Sequence, residues 1–288
     1  MSYATYNSFT SRVGPRTLAQ LTAETGTTPS NSVITAQLLT ASRKIDLILS
    51  TRYVVRVTGP VGTLLALLLA RDGREVQLIE RRSDPRRAAA DSGRSINLAL
   101  AARGLLALEQ AGVLERLRSE MVAMRGRQVH EPGGASSFMN YGLRPNEIIH
   151  AISRTRLNAA LIEAAAQVPQ IALRFSQRCV DVDARSGILQ WCNEIDGSAH
   201  SEAAALLIAA DGAGSAVRAA LATRGVLQAT EEALDHDYKE LLIPAAADGG
   251  YLLDQNALHI WPRGGYMLIA LPNPDGSFTA TLFLPARG

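Results

Sequence analysis

The stretch from Tyr53 to Glu80 constrains the fold more than any other part of the chain. Residues 53–57, Tyr-Val-Val-Arg-Val, are a β-branched run that suits a pleated strand. Gly59-Pro60-Val61-Gly62 interrupts it, an apolar helix is predicted over 63–71, Gly73 closes that helix, and 75–80 reads as a second strand. Strand, glycine turn, helix and strand within about 30 residues form a crossover unit, which lays its two strands parallel. The class expected is α/β, with helices packed on a parallel sheet.

Further helices are predicted over 101–110, 113–121 and 155–166. Residues 127–152 read as strands and loops around a Pro132-Gly133-Gly134 turn, and 172–183 with 187–193 as a hairpin pair of strands. A buried apolar strand over 203–209 runs into Asp211-Gly212. From 238 to 285 short β runs (251–253, 257–261, 266–271, 278–284) alternate with Pro and Gly turns, the pattern of an antiparallel sheet. Residues 1–50 stand apart. They are rich in Ser, Thr, Ala and Gln, with room for a short helix at 16–25, carry no chemistry, and read as a poorly packed, unassigned extension.

Composition removes several function classes. Hydrophobic residues are 47% of the chain and charged residues 19%, enough to bury a core and unlike a disordered segment. A net charge of +2 creates no field that would select nucleic acid. Cys179 and Cys192 have neither redox nor zinc spacing and read as reduced thiols. His130, His150, His200 and His236 show no ligand spacing, so no metal is expected. The longest apolar run, 64–70, is far short of the roughly 18–20 residues of a membrane span and ends in Arg71-Asp72. No basic region followed by an apolar one opens the chain, so the expectation is a cytoplasmic protein without a membrane segment.

Gly59 and Gly62 occupy the second and third glycine positions of a G-x-G-x-x-G dinucleotide turn. There a helix N-terminus offers free N–H groups and partial positive charge to a pyrophosphate. The first glycine position holds Val57, and a β-branched residue there is expected to strain or reshape the turn. Glu80 lies 18 residues after Gly62, placed to accept hydrogen bonds from ribose hydroxyls. Arg81 and Arg82 beside it either flank the adenosine or are simply solvated. In Leu206-Leu207-Ile208-Ala209-Ala210-Asp211-Gly212-Ala213-Gly214-Ser215, a strand ends in Asp-Gly ahead of a helix carrying Arg218. Alone this is also an ordinary strand–turn–helix with Ser215 as N-cap. Following a dinucleotide unit, it resembles the Asp-Gly motif of flavoprotein hydroxylases related to p-hydroxybenzoate hydroxylase.

Gly93-Arg94-Ser95-Ile96-Asn97-Leu98-Ala99-Leu100 resembles a block of the kynurenine 3-monooxygenase family. So do Met124 to Arg127 with His130, Asn140-Tyr141-Gly142, Ile152-Ser153-Arg154 with Leu157-Asn158, 237–241, and the long run 256–273 continued by 278–285. The resemblance covers roughly 53–285. It implies an α/β fold: an FAD-binding Rossmann-like (GR2-type) domain at 51–235 with part of the substrate region inserted at 122–152. An antiparallel substrate-domain sheet at 236–288 completes it, cut short at the C-terminal end. It implies hydroxylation of L-kynurenine at C3 with FAD, NADPH and O2, in tryptophan degradation, through a flavin C4a-hydroperoxide. No catalytic side chain is then needed. By position, Arg127 would pair the substrate carboxylate and Tyr141 would join that site. Gly59, Val61, Gly62, Glu80, Arg81, Arg82, Ala99, Arg154, Asp211 and Gly212 would meet FAD, with Cys179 a weaker candidate through its backbone. His259, Trp261 and Arg263 read mainly as sheet and turn structure.

The departures are Val57, the unmatched head, and the lack of a later Gly-Asp segment for the flavin ribityl and pyrophosphate. The last leads to an expectation of poor stability and weak activity for the chain as written. A flavin-binding fragment without activity, and a hydroxylase of another aromatic acid, are the alternatives. A plain NAD dehydrogenase does not fit the antiparallel C-terminal pattern.

Overall fold

In a computed structural model the chain is described at 53–57, 59–87 and 96–286. The extension at 1–50, its possible helix, and Gly93, Arg94 and Ser95 of the first family block lie outside these residues. Four parallel strands form the centre: β1 (Tyr53–Val57), β2 (Val76–Ile79), β8 (Ile171–Arg174) and β12 (Leu206–Ala210), in the order β12-β1-β2-β8. Helix α1 (Pro60–Arg71) is the crossover from β1 to β2. It starts ahead of the predicted residue 63, because Pro60 begins the helix instead of breaking the chain. A proline's fixed φ and missing N–H suit the first helical position.

One face of the parallel sheet carries helices. Ala66, Leu67 and Ala70 of α1 repeat at helical spacing, and pack with Val76 and Leu78 of β2 and with Leu157, Leu161 and Ala165 of α4 (Arg154–Ala165). Helices α2 (Ala102–Gln110) and α3 (Leu114–Leu117) close this layer through Leu108 and Leu117. The other face carries a three-stranded antiparallel sheet, β9 (Gln177–Asp183), β10 (Ile188–Asn193) and β11 (Ala199–Ala203), ordered β11-β10-β9. Ile79 packs there against Cys179, Val182, Leu189, Trp191 and Val217 of α5 (Ala216–Thr223). Each fully buried aliphatic side chain contributes about 1.5–3 kcal/mol of transfer free energy, so the sheet is held from both sides.

Three readings of the sequence need correction. The single strand predicted at 172–183 is two strands in different sheets. Ser176 takes φ 57 between them and donates its N–H to the Arg82 carbonyl, which swings the chain from the parallel sheet into the antiparallel one. Strand β11 and strand β13 (His236–Ile243) are both additional to the prediction. Their polar, exposed residues hide the apolar alternation, and register with β10 and with the strand at Phe278–Pro285 defines them. Residues 251–253, predicted as a strand, form a bend.

The remaining strands make two sheets. Strands β3 (Asn97–Leu100), β7 (Ile149–Ser153) and β4 (Val122–Met124) form a small antiparallel one, order β3-β7-β4. The larger joins β13, β16 (Phe278–Pro285), β15 (Tyr266–Pro272), β14 (Ala257–Arg263), β5 (Gly126–His130) and β6 (Ser136–Asn140) in that order. All its pairings are antiparallel except β14 with β5, which is parallel. Met124, Ala151 and Leu271 form a shared core between the two sheets, and the Asn97 amide donates to Asn273 Oδ1 at 2.7 Å. On one face of the larger sheet His130 and His259 are joined ring to ring at 2.9 Å, His259 reaches the Asp254 carbonyl, and Trp261 stacks on His130. Among the described residues no helix is long and apolar enough to cross a membrane.

Candidate functional site

The strands of the parallel sheet end together. Val57 pairs with Ala210, Arg56 with Ile79, and Ile79 with Arg174, so Gly59, Glu80, Asp211 and Phe175 all leave the same carboxyl edge. From β1 the chain continues to β2 on one side, while β12 lies on the other, and ligands of open α/β sheets bind in the crevice at such a point. The three places expected to cooperate are therefore neighbours.

Val57 is still a strand residue there, the last in register with β12. A β-branched residue suits that backbone better than it would a tight turn. The turn falls instead on Gly59, at φ 124 and ψ −168, a conformation open to glycine almost alone. Among the described residues nothing lies within 4 Å of the place a Cβ would take, so there the backbone faces open space.

Two helices start at this edge, and they start differently. At α1 no side chain among the described residues caps the N-terminus, and the first turn holds no acid. Val61 is 72% exposed in that turn and Gly62 is buried beneath it. The leading N–H groups of α1 are thus left for an anion. At α5 the Asp211 carboxylate takes the Ser215 hydroxyl at 2.6 Å and the Ala216 N–H at 3.0 Å, and Ser215 Oγ takes the Arg218 N–H at 3.0 Å. Ser215 is the N-cap weighed as the plainer reading of that motif, and Asp211 reinforces it. Gly212 follows at φ 74, exposed at the edge.

Between α1, α4 and the ends of β2 and β8 lies a small groove, partly open to solvent. Gly59 and Glu80 stand at its mouth, and Leu78, Ile162, Leu173 and Phe175 make it apolar. Glu80 is held in place: its carboxylate accepts the Arg82 N–H at 2.8 Å, and its backbone bridges Arg174 and Gln177. Arg81 and Arg82 are exposed beside it. Asn158 also lines the groove, and its buried Oδ1 has no hydrogen-bond partner. Sequence reasoning quoted Asn158 only within a family block. The available signal was a polar residue four before Ile162, on the inward stripe of a helix that buries Leu157, Leu161 and Ile162.

Arg154 opens α4, exposed, with its N–H on the Ile96 carbonyl, and Ala99 is exposed on the adjoining β3. Cys179 stands apart. Its side chain is buried in the core behind the parallel sheet, opposite Trp191, and it does not line the groove.

Arg127 on β5 and Tyr141, just past the end of β6, come together at the edge of the larger sheet. The Arg127 guanidinium lies over the Tyr141 ring, 5.3 Å from its centroid. Gly126 makes this possible, since a Cβ there would sit 2.3 Å from the Met139 carbonyl oxygen. The Tyr141 hydroxyl is buried, with the Arg127 guanidinium as its polar neighbour. Burial raises its pKa, and the neighbouring guanidinium offsets part of that, so the phenol stays a proton donor at neutral pH. The His130–His259 pair lies on β5 and β14 at alternate positions to Arg127 and Leu258, so it faces away from this corner.

These features fit an adenine–flavin dinucleotide: an open glycine turn, an uncapped helix end, a fixed carboxylate for ribose, and an apolar groove with an orphaned amide oxygen. Comparison with known proteins agrees. Kynurenine 3-monooxygenase from Myxococcus xanthus (strain DK1622) is 47% identical over 230 residues, 80% of this chain and 50% of that protein. The enzyme of the same name from Stenotrophomonas maltophilia (strain K279a) is 50% identical over the same shares. The chain spans about half the length of these curated relatives. Among solved structures, 2-methyl-3-hydroxypyridine-5-carboxylic acid oxygenase superposes with a TM-score of 0.62 at 20% identity, covering 83% of this chain and 60% of that one. A flavoprotein/dehydrogenase from Cytophaga hutchinsonii gives 0.64 at 17% identity, over 82% and 56%. These two share the fold, and the mixed parallel and antiparallel architecture expected from the sequence is theirs as well. The FAD binding domain family matches residues 55–247, and the chain belongs to that family.

Proposed function

We propose that this chain is the FAD-binding and substrate-recognising part of a kynurenine 3-monooxygenase, using NADPH and O2. The observation that carries the reading is the pairing of an uncapped, glycine-led helix end with the Arg127–Tyr141 corner. Relatives at 46–50% identity bearing that name support it.

The N–H groups of α1 and the open backbone at Gly59 would take the pyrophosphate, with Glu80 on the adenosine ribose. Val61 and Gly62 lie in that first turn, Arg81 and Arg82 flank the ribose, and Arg154 and Ala99 approach from the neighbouring strand and helix. Asp211 shapes the turn that presents Gly212, and Cys179 enters at most through its backbone. Bound FAD would supply the oxygen-transfer chemistry that no side chain here provides. Arg127 offers a planar fork to a substrate carboxylate, and the buried, protonated Tyr141 hydroxyl donates to it. Together they fix which end of the substrate enters first. The side chains in this corner orient the substrate and keep water from it.

The test is formation of 3-hydroxykynurenine from L-kynurenine with FAD and NADPH, followed by chromatography. Arg127→Leu should raise KM for kynurenine about 10–100-fold, as expected for a lost charge-assisted pair, and leave FAD affinity within twofold. An unchanged KM, or equal loss of FAD, would remove the substrate role given to Arg127.

A further inference from the structure

Asn158 is the one groove residue whose polar atom is buried without a partner. Leaving a buried amide oxygen unsatisfied costs stability, and such a cost persists where a ligand repays it. The groove around it is narrow and apolar, with Leu78, Ile162, Leu173 and Phe175 as walls and Glu80 at the mouth. It is partly open to solvent, so a flat group can approach it from the sheet edge. With Glu80 at the mouth addressing a ribose, what passes inward is the planar base.

We propose that Asn158 reads the adenine base, its Oδ1 accepting a hydrogen bond from the exocyclic amine. An asparagine amide matches adenine because the base presents an N–H donor beside a ring-nitrogen acceptor. A base with a carbonyl at that carbon would set oxygen against oxygen. The apolar walls contribute area without choosing between purines, so the choice rests on one amide. This inference rests on the FAD reading above and names the residue that discriminates within it.

The experiment has two arms on the purified protein. In the first, FAD affinity is measured by flavin fluorescence and ligand-free stability by thermal unfolding, for wild type and Asn158→Leu. The variant should bind FAD at least tenfold more weakly yet unfold at a higher temperature without ligand, because it removes an orphaned polar atom. A lower unfolding temperature would mark Asn158 as structural and overturn the assignment. In the second arm, calorimetry compares ADP with inosine diphosphate, which carries a carbonyl where adenine has its amine. Wild type should prefer ADP at least tenfold. Equal binding of the two would overturn the assignment even if the variant fails to fold. Wild type that binds neither FAD nor ADP would overturn the FAD reading and this proposal with it.

Discussion

Helices α1 and α5 rise from the same sheet edge, yet one start is closed and the other open. At α5 the orphan N–H groups are met by Asp211 and Ser215, so that turn is complete in the protein alone. At α1 no side chain does this, and the residue before the helix is a glycine in a conformation that brings the backbone into the open. A closed helix end is complete in the protein alone, and an open one leaves its N–H groups to water or to an anion. The contrast matters because both motifs look alike as sequence: a strand, a small residue or two, then a helix.

The contrast can be broken at three points. Asp211→Ala removes an acceptor from two groups at once and should destabilise the fold by about 2 kcal/mol, at the upper end for caps, read by chemical denaturation. A loss of FAD affinity with unchanged stability would instead make Asp211 a ligand contact. Val61→Asp places a carboxylate in the open first turn, where the parent side chain is 72% exposed. It should weaken FAD about tenfold, roughly 1.4 kcal/mol, through repulsion of the pyrophosphate, while raising ligand-free stability by about 0.5 kcal/mol. Tighter FAD binding would show that the anion sits elsewhere. Ser215→Ala should cost about 1 kcal/mol and leave FAD affinity unaltered, since Asp211 still holds the Ala216 N–H.

What could be read from sequence follows the range of the interactions. Strands β1 and β2 with α1 are close in the chain and buried by apolar side chains, so their pattern is local and plain. Gly59 and Glu80 could be named as candidates because a dinucleotide turn needs those residue types at that spacing. Strand β11, with the sequence Ala-His-Ser-Glu-Ala, and the exposed β13 were not, because an edge strand owes its existence to a partner. The break at Ser176 was hidden for a related reason. Both flanking segments are good strands, and only the switch of sheets demands the turn. Arg127 and Tyr141 were legible through family resemblance alone; an isolated arginine and tyrosine carry no signal until β5 and β6 set them side by side. Asn158 was quoted only within a family block, since its place on the inward stripe of α4 gains meaning only once the groove lies beside it.

The parallel seam between β5 and β14 has a consequence for how the chain is made. Gly126 lies against Ala257, a separation of 257 − 126 = 131 residues, and β1 meets β12 across the interval from Val57 to Ala210. These two closures interlock, since β5 falls inside the loop that β1 and β12 enclose, whereas β14 falls beyond it. During synthesis the hairpin of β5 and β6 therefore emerges long before the strand it must join, and waits with one edge unpaired while the parallel sheet closes around it. Such distant closures are slow. The Arg127–Tyr141 corner should mature only after β14 has emerged, and stay exposed to mispairing until it does.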